Sequence, residues 1–270
     1  MLPLEDTFLD ILGKAQRGYK ISDPDLLLQS GLTPTQLQQL REGHIDSPSL
    51  EKLAPVLRLN PQALIECALK KWIPAPIEIS SFKMFTTPFE EMTVNSYLVW
   101  DEKTSQAAAF DTGMDVTEML QFSKDRGLKI QSIFITHTHG DHIFELDRLS
   151  EKTGAPSYVG DREPTLEGTE SFTAGKSFQL GSLTFETRLT WGHAVGGITY
   201  VIQGLPRPLA IVGDALFAGS MGGGMVSWPD ALRTTRDEIL SLPPETVIAS
   251  GHGPLTTVAE SKIHNPFFTF

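Results

Sequence analysis

The six residues His137-Thr138-His139-Gly140-Asp141-His142 constrain this chain more than any other feature. They follow an apolar run, residues 130–136, that reads as a strand. A strand ending in a turn there delivers three imidazoles and a carboxylate into a small volume. Imidazole and carboxylate are the ligands that suit zinc, iron and manganese. The chain holds seven histidines and three fall in these six positions, so chance clustering is a poor account of them.

Three further candidates sit in the same way. His193 follows the alternating segment 182–190, Asp214 follows the apolar run 209–212, and His252 follows residues 246–249. A glycine adjoins each of them. Ligands carried on loops at one edge of a sheet sandwich have this pattern.

Taken in order, Asp111 in Phe110-Asp111-Thr112-Gly113, the histidine box, His193, Asp214 and His252 resemble the metallo-β-lactamase superfamily. The resemblance spans about residues 78–270 and implies an α+β fold, an αββα sandwich with a metal centre at one edge. It implies one metal on His137, His139 and His193, a second on Asp141, His142 and His252, and Asp214 bridging the two. Asp111 would brace the ligand loop without binding metal, a turn aspartate being its alternative reading. Two divalent ions are the implied cofactors, zinc first, with iron and manganese as alternatives.

Segments 213–220, 251–257 and 264–267 are similar to short bacterial relatives of glyoxalase II, a thioesterase of S-lactoylglutathione. The only cysteine, Cys67, lies far upstream, whereas β-lactamases of the superfamily commonly put cysteine at the second site. The implied chemistry is attack on a carbonyl carbon by a hydroxide bridging two dications, with Asp214 and Asp141 as the catalytic carboxylates. A thiolate leaves without a strong general acid, and an amide nitrogen does not. Hydrolysis of a small acyl thioester or ester is therefore the expected reaction. A lactonase, a mononuclear-iron persulfide dioxygenase and a DNA-binding regulator with a metabolite-sensing metal domain are the alternatives. Recognition of glutathione is not marked. Residues 220–225 contain no Lys or Arg, and Arg233 and Arg236 read as a solvated helix face.

Residues 1–72 differ in texture, with Leu and Gln abundant and no strand-like alternation; residues 73–77 read as a linker. Helices are expected over 4–18, 23–30, 33–43, 47–57 and 60–71, several opened by Ser, Thr or Asn followed by Pro. Residues 26–64 resemble the Cro/repressor-type helix-turn-helix domain, with Gly31 in the turn. The resemblance offers Thr35, Gln36, Gln38 and Gln39 as contacts to DNA or a protein partner. Residues 1–75 hold nine acidic and eight basic side chains, and a near-neutral module makes few phosphate contacts. Docking or dimerisation is the weightier reading of it. The catalytic residues 78–270 are expected to fold without it.

The net charge of −11 argues against broad binding of nucleic acid. No apolar run approaches the length of a membrane span, so no membrane contact is expected. The first ten residues lack the basic and apolar regions of a secretion signal, and a single cysteine forms no internal disulfide. A cytoplasmic protein is expected, and a homodimer is compatible with it.

Overall fold

Four of the first five helices are started by a side-chain cap and a proline. A computed structural model describes residues 2–268. It begins with α1 (Phe8–Tyr19), α2 (Asp23–Ser30), α3 (Pro34–Arg41), α4 (Ser47–Val56) and α5 (Pro61–Ala68). Ser22, Thr33, Asp46 and Asn60 each accept a backbone N–H of the first turn that follows, and each is followed by proline in that turn. The proline has no N–H to leave unsatisfied and its fixed φ suits a helix start. Gly31, at φ 67, ends α2. The expected start of α1 at residue 4 is corrected to Phe8, because Thr7 and Asp10 form a capping box there.

Two six-stranded sheets follow. The first runs in the order β1 (Phe82–Phe89), β2 (Met92–Trp100), β3 (Gln106–Phe110), β4 (Lys129–Phe134), β5 (Ser157–Gly160), β6 (Thr169–Phe172). Its β1–β2 and β2–β3 pairs are antiparallel and the rest are parallel. The second holds β7 (Ser177–Leu180), β8 (Leu183–Leu189), β9 (Ile198–Gln203), β10 (Leu209–Gly213), β11 (Val247–Ser250) and β12 (Thr256–Thr257), side by side in reverse order. Helices α6 (Thr117–Asp125), α7 (Gly140–Ile143), α8 (Leu146–Thr153), α9 (Trp228–Thr234) and α10 (Val258–His264) complete the fold. Helix α9 runs on into a π-turn, Thr235–Ile239.

Period-two alternation assigns each strand residue to a layer. Val99, Ala108, Phe110, Tyr200, Ile211 and Ala249 face the space between the sheets, where Phe110 stacks on Phe134 at 5.3 Å. Leu98, Ala107 and Ala109 face outward and meet Met119 of α6 and Leu149 of α8. Val201, Ala210, Val212 and Ile248 also face outward, on the second sheet. They share one core with Phe8, Ile11 and Leu12 of α1. Strands β9 to β11 are buried along nearly their whole length because both of their faces are covered.

The expectation that residues 78–270 form a core without the N-terminal helices meets this shared layer. Gly18 makes the approach close: a side chain there would run into the indole of Trp228. Tyr19 packs edge-on to that ring at 5.6 Å. Trp72, in the irregular stretch after α5, stacks on His264 at 4.4 Å. No described helix is long and apolar enough to cross a membrane.

Candidate metal centre

Five loops bring the candidate ligands to one edge of the sandwich, each just past the C-terminal end of a strand. Asp111 follows β3, the histidine box follows β4, His193 follows β8, Asp214 follows β10 and His252 follows β11. The register of β10 against β11 shifts between Ile211 and Gly213, and the bulge re-aims Asp214. Gly251 stands behind that carboxylate, where a Cβ would collide with Asp214 Oδ1 and the His142 ring.

Every ligand named from the sequence arrives at this edge. His137, His139, His193 and Asp214 form one cluster of donor atoms, and Asp141, His142 and His252 a second. His139 Nδ1 lies 3.0 Å from both His137 Nε2 and His193 Nε2. Asp214 Oδ2 lies 3.3 Å from His193 Nε2 and 3.4 Å from His252 Nε2, and Asp214 Oδ1 is 3.4 Å from His142 Nε2. Asp141 Oδ2 is 3.3 Å from His252 Nε2. Separations of this size suit two ligands that each stand about 2.0–2.2 Å from a shared ion. Asp214 is the residue that reaches both clusters.

The outer nitrogens of the rings decide what faces inward. His142 Nδ1 donates to Asp111 Oδ2 at 2.7 Å, His252 Nδ1 to the Thr93 carbonyl at 2.7 Å, and His193 Nδ1 to the Gly223 carbonyl at 2.9 Å. Thr136 Oγ1 donates to Asp111 Oδ2 at 2.7 Å, so it accepts from His137 Nδ1 at 3.0 Å. A neutral ring with its proton on Nδ1 presents a lone pair at Nε2. His139 Nδ1 can offer a proton to only one of its two neighbours, so one contact is lone pair against lone pair. A cation between them resolves that conflict. His142 Nε2 and Asp214 Oδ1 are moreover buried with no hydrogen-bond partner among the described residues. The donor set fits a divalent metal, and the outer bonds are the kind that orient metal ligands.

Charge is balanced tightly here. Burial opposes ionisation of Asp214, yet the His142 and His252 rings hold its carboxyl well below the usual range. Burial disfavours charge on His142, but Asp111 and Asp214 outweigh it and push the ring up to about 10. Burial likewise disfavours charge on His252, which Asp214 and Asp141 push up to about 11. Metal uptake therefore displaces protons.

Several supporting groups carried no legible sign in the sequence. Glu163 accepts from Thr138 N, Thr138 Oγ1 and Gly196 N, at 3.0, 2.6 and 2.7 Å. It ties the His137–His139 turn to the loop of His193. Asn95 donates to the carbonyls of Ser250 and Gly253 on either side of His252. Thr136 was within sight, standing directly before the box.

Thr35, Gln36, Gln38 and Gln39 lie on α3, apart from this edge. Thr35, Gln38 and Gln39 are exposed, whereas Gln36 Oε1 turns back to accept from Thr33 N at 2.9 Å. Arg41, the one base of α3, forks onto Asp23 and holds that carboxyl down at about 2.

Comparison with known proteins agrees with this geometry. The family model described as the metallo-beta-lactamase superfamily matches residues 90–252. The probable metallo-hydrolase YqgX of Bacillus subtilis (strain 168) is 30% identical over 205 residues, covering 67% of this chain and 94% of that protein. A hydroxyacylglutathione hydrolase of Methylobacterium nodulans is 33% identical over 159 residues, 57% of this chain and 60% of the relative. The crystal structure of the BLEG-1 B3 metallo-beta-lactamase matches with a TM-score of 0.62 at 29% identity, covering 70% of this chain and all of that one. ETHE1 from Myxococcus xanthus matches at 0.60 and 26% identity, over 68% of this chain and 83% of that one. Fold, converging donor atoms and the family match lead to one conclusion: this chain belongs to the metallo-β-lactamase superfamily.

Proposed function

We propose that this protein is a dinuclear metal-dependent hydrolase of small acyl thioesters or esters. The observation that carries the reading is Asp214, buried and within 3.4 Å of donors in both ligand clusters. His137, His139 and His193 would hold one ion with Asp214, and Asp141, His142 and His252 the other. Two divalent ions, with zinc first and iron or manganese as alternatives, supply a Lewis acid for a carbonyl oxygen and a water acidic enough to attack near neutral pH.

The chain's own groups do the rest. Asp111 fixes the His142 tautomer, and Thr93 and Gly223 fix those of His252 and His193. Asp141, 3.3 Å from His252 Nε2, would also take a hydrogen bond from the attacking water and orient it. Phe144 and Val195, each two residues beyond a ligand, are exposed apolar side chains that suit an acyl group. A thiolate leaves unprotonated, which suits a site where burial and metal ligation occupy the acidic groups.

The test is turnover by metal-loaded protein of S-D-lactoylglutathione, an uncharged thioester, a lactone and a β-lactam, with Asp214→Ala as control. Two ions per chain, and thioester or ester hydrolysis lost together with metal in the variant, is the expected result. No turnover of any acyl substrate by protein holding two ions rejects the reading. A single iron per chain with oxygen uptake on a persulfide transfers the assignment to a dioxygenase, the reading that the likeness to ETHE1 favours.

A further inference from the structure

A cleft of 1320 Å³ opens between α1 and the loop that precedes α9. Its charge sets it apart. The chain carries 33 acidic and 22 basic side chains, yet Lys14, Arg17, Lys20, Arg58, Arg233 and Arg236 line this cleft and no carboxylate does. Lys14 is bonded to Asp6 at 2.5 Å and Arg233 to Asp230 at 2.8 Å. Arg17, Lys20 and Arg58 are exposed and form no ion pair among the described residues. Arg58 lies over the Tyr19 ring at 4.8 Å. Trp228 also lines the cleft; its buried indole N–H has no acceptor among the described residues. Arg17, Lys20 and Arg58 repel one another where no carboxylate lines the cleft, and an anionic ligand removes that cost.

The cleft and the metal centre share one wall residue. Gly223 is part of its wall, and the Gly223 carbonyl receives the His193 Nδ1 proton at 2.9 Å. Lys14 lies 5.1 Å from the Phe217 ring, which packs edge-on to His252 at 5.6 Å. The volume exceeds the roughly 300–1,000 Å³ of an ordinary small-ligand site, and an acyl group alone needs far less. Arginine forks match phosphate oxygens in pairs, and Arg58, held over the Tyr19 ring, offers a planar guanidinium to a heteroaromatic ring.

We propose that this cleft holds the phosphorylated, nucleotide-type carrier to which the substrate's acyl group is attached, gripped by Arg17, Lys20 and Arg58. The inference rests on the hydrolase reading above. The acyl–sulfur or acyl–oxygen bond breaks, water oxygen bonds to the carbonyl carbon, and the carrier leaves as thiol or alcohol; the acid's proton goes to solvent. The N-terminal helices thereby supply substrate selection. The sequence left Arg233 and Arg236 on a solvated helix and saw no base near the 220–225 loop. Four of the six cations come from the distant α1 and α4 regions, which only the fold brings there.

The test titrates metal-loaded protein with coenzyme A as a probe, by calorimetry at low and high salt. Pantetheine, inorganic pyrophosphate and a single-stranded oligonucleotide are titrated in parallel. The variants are Arg17→Gln with Lys20→Gln, and Arg58→Gln, each checked by thermal unfolding. Coenzyme A should bind, pantetheine should not, and each variant should weaken binding about tenfold or more, as charge-assisted contacts do. Absent binding of coenzyme A overturns the proposal, as does equal binding by the variants. Pyrophosphate binding as tightly as coenzyme A overturns the carrier, and preference for the oligonucleotide at these residues turns the cleft over to nucleic acid. Coenzyme A binding without hydrolysis of any acyl substrate rejects the hydrolase reading and leaves the cleft. Hydrolysis of an uncharged thioester without coenzyme A binding does the reverse.

Discussion

Asp111 Oδ2 accepts the Nδ1 proton of His142 at 2.7 Å, where neither side chain is more than 1% exposed. The same carboxylate accepts from Thr136 N and Thr136 Oγ1, at 2.7 Å each. One acid thus sets the tautomer of a ligand in the second cluster and the backbone just before the first. Asp111→Asn isolates this role. The residue stands at φ 54, a left-handed conformation that asparagine tolerates better than other side chains. The amide cannot accept from three donors as the carboxylate does. Metal affinity should fall about 10–100-fold, as it does when a ligand's outer partner is lost. Metal per chain after dialysis against a weak chelator checks it; full metal content would leave Asp111 a turn residue only.

Phe8, Ile11 and Leu12 share a core with Val212 and Trp228. Burying each such aliphatic or aromatic side chain contributes about 1.5–3 kcal/mol. Losing several approaches the roughly 5–15 kcal/mol that holds a whole domain folded. Deletion of residues 1–75 should therefore give an insoluble product or one that melts far below the full chain. Calorimetry of the full chain should find one transition. Two separate transitions, or a truncated protein of unchanged melting temperature, would mean that the shared layer contributes little.

The candidate ligands that converge at one edge were legible because each carries a local sign in the sequence. Three histidines within six residues announce themselves, and a glycine beside His193, Asp214 and His252 marks turns at strand ends. Strands β4, β8, β10 and β11 were legible as apolar or alternating runs that each end just before a candidate ligand. Strands β5, β6 and β7 span four residues each, too few to establish a period, and polar edge positions hide them. Glu163, Asn95 and the cation-lined cleft were illegible for a different reason. Each acts on partners brought close only by the tertiary fold, such as Gly196 for Glu163 and the 220s loop for Arg17. The likeness of residues 26–64 to a DNA-binding module drew on helix order, and it gave no view of Arg41 bound to Asp23.

Burial pushes the Cys67 thiol up to about 11, with Asp6 and Asp10 adding to the effect. The ordinary value is 9.0. The thiol is neutral when protonated, so folded and unfolded chains bind the same proton below pH 9. Between 9 and 11 the unfolded chain releases it first, and stability falls by ~1.4 kcal/mol for each unit of pKa difference at most. Iodoacetamide at pH 8.5 should label the folded protein slowly and the urea-unfolded protein fast. The urea midpoint of Cys67→Ala should also decline less between pH 9 and 11 than that of the parent. Rapid labelling of the folded protein would show that the partial burial of Cys67 does not raise its thiol.

Glu163 is the least conspicuous of the groups that shape the site, and its removal makes the sharpest case for indirect support. Its side chain is buried and accepts from three donors, two of them on Thr138, the residue between His137 and His139. Glu163→Gln keeps the volume but points an amide N–H₂ at an N–H or hydroxyl donor. One buried donor is then left unpaired, at a cost of about 1–3 kcal/mol. The loss should fall unevenly. His139, held by no outer hydrogen bond of its own among the described residues, depends on the turn that Glu163 ties down, whereas His142 and His252 keep Asp111 and Thr93. If the protein holds the two ions proposed for it, the variant should lose that of the His137–His139–His193 cluster before the other in a graded chelator titration. Simultaneous loss of both, at the concentration that strips the parent, would show that Glu163 supports the fold without selecting a site.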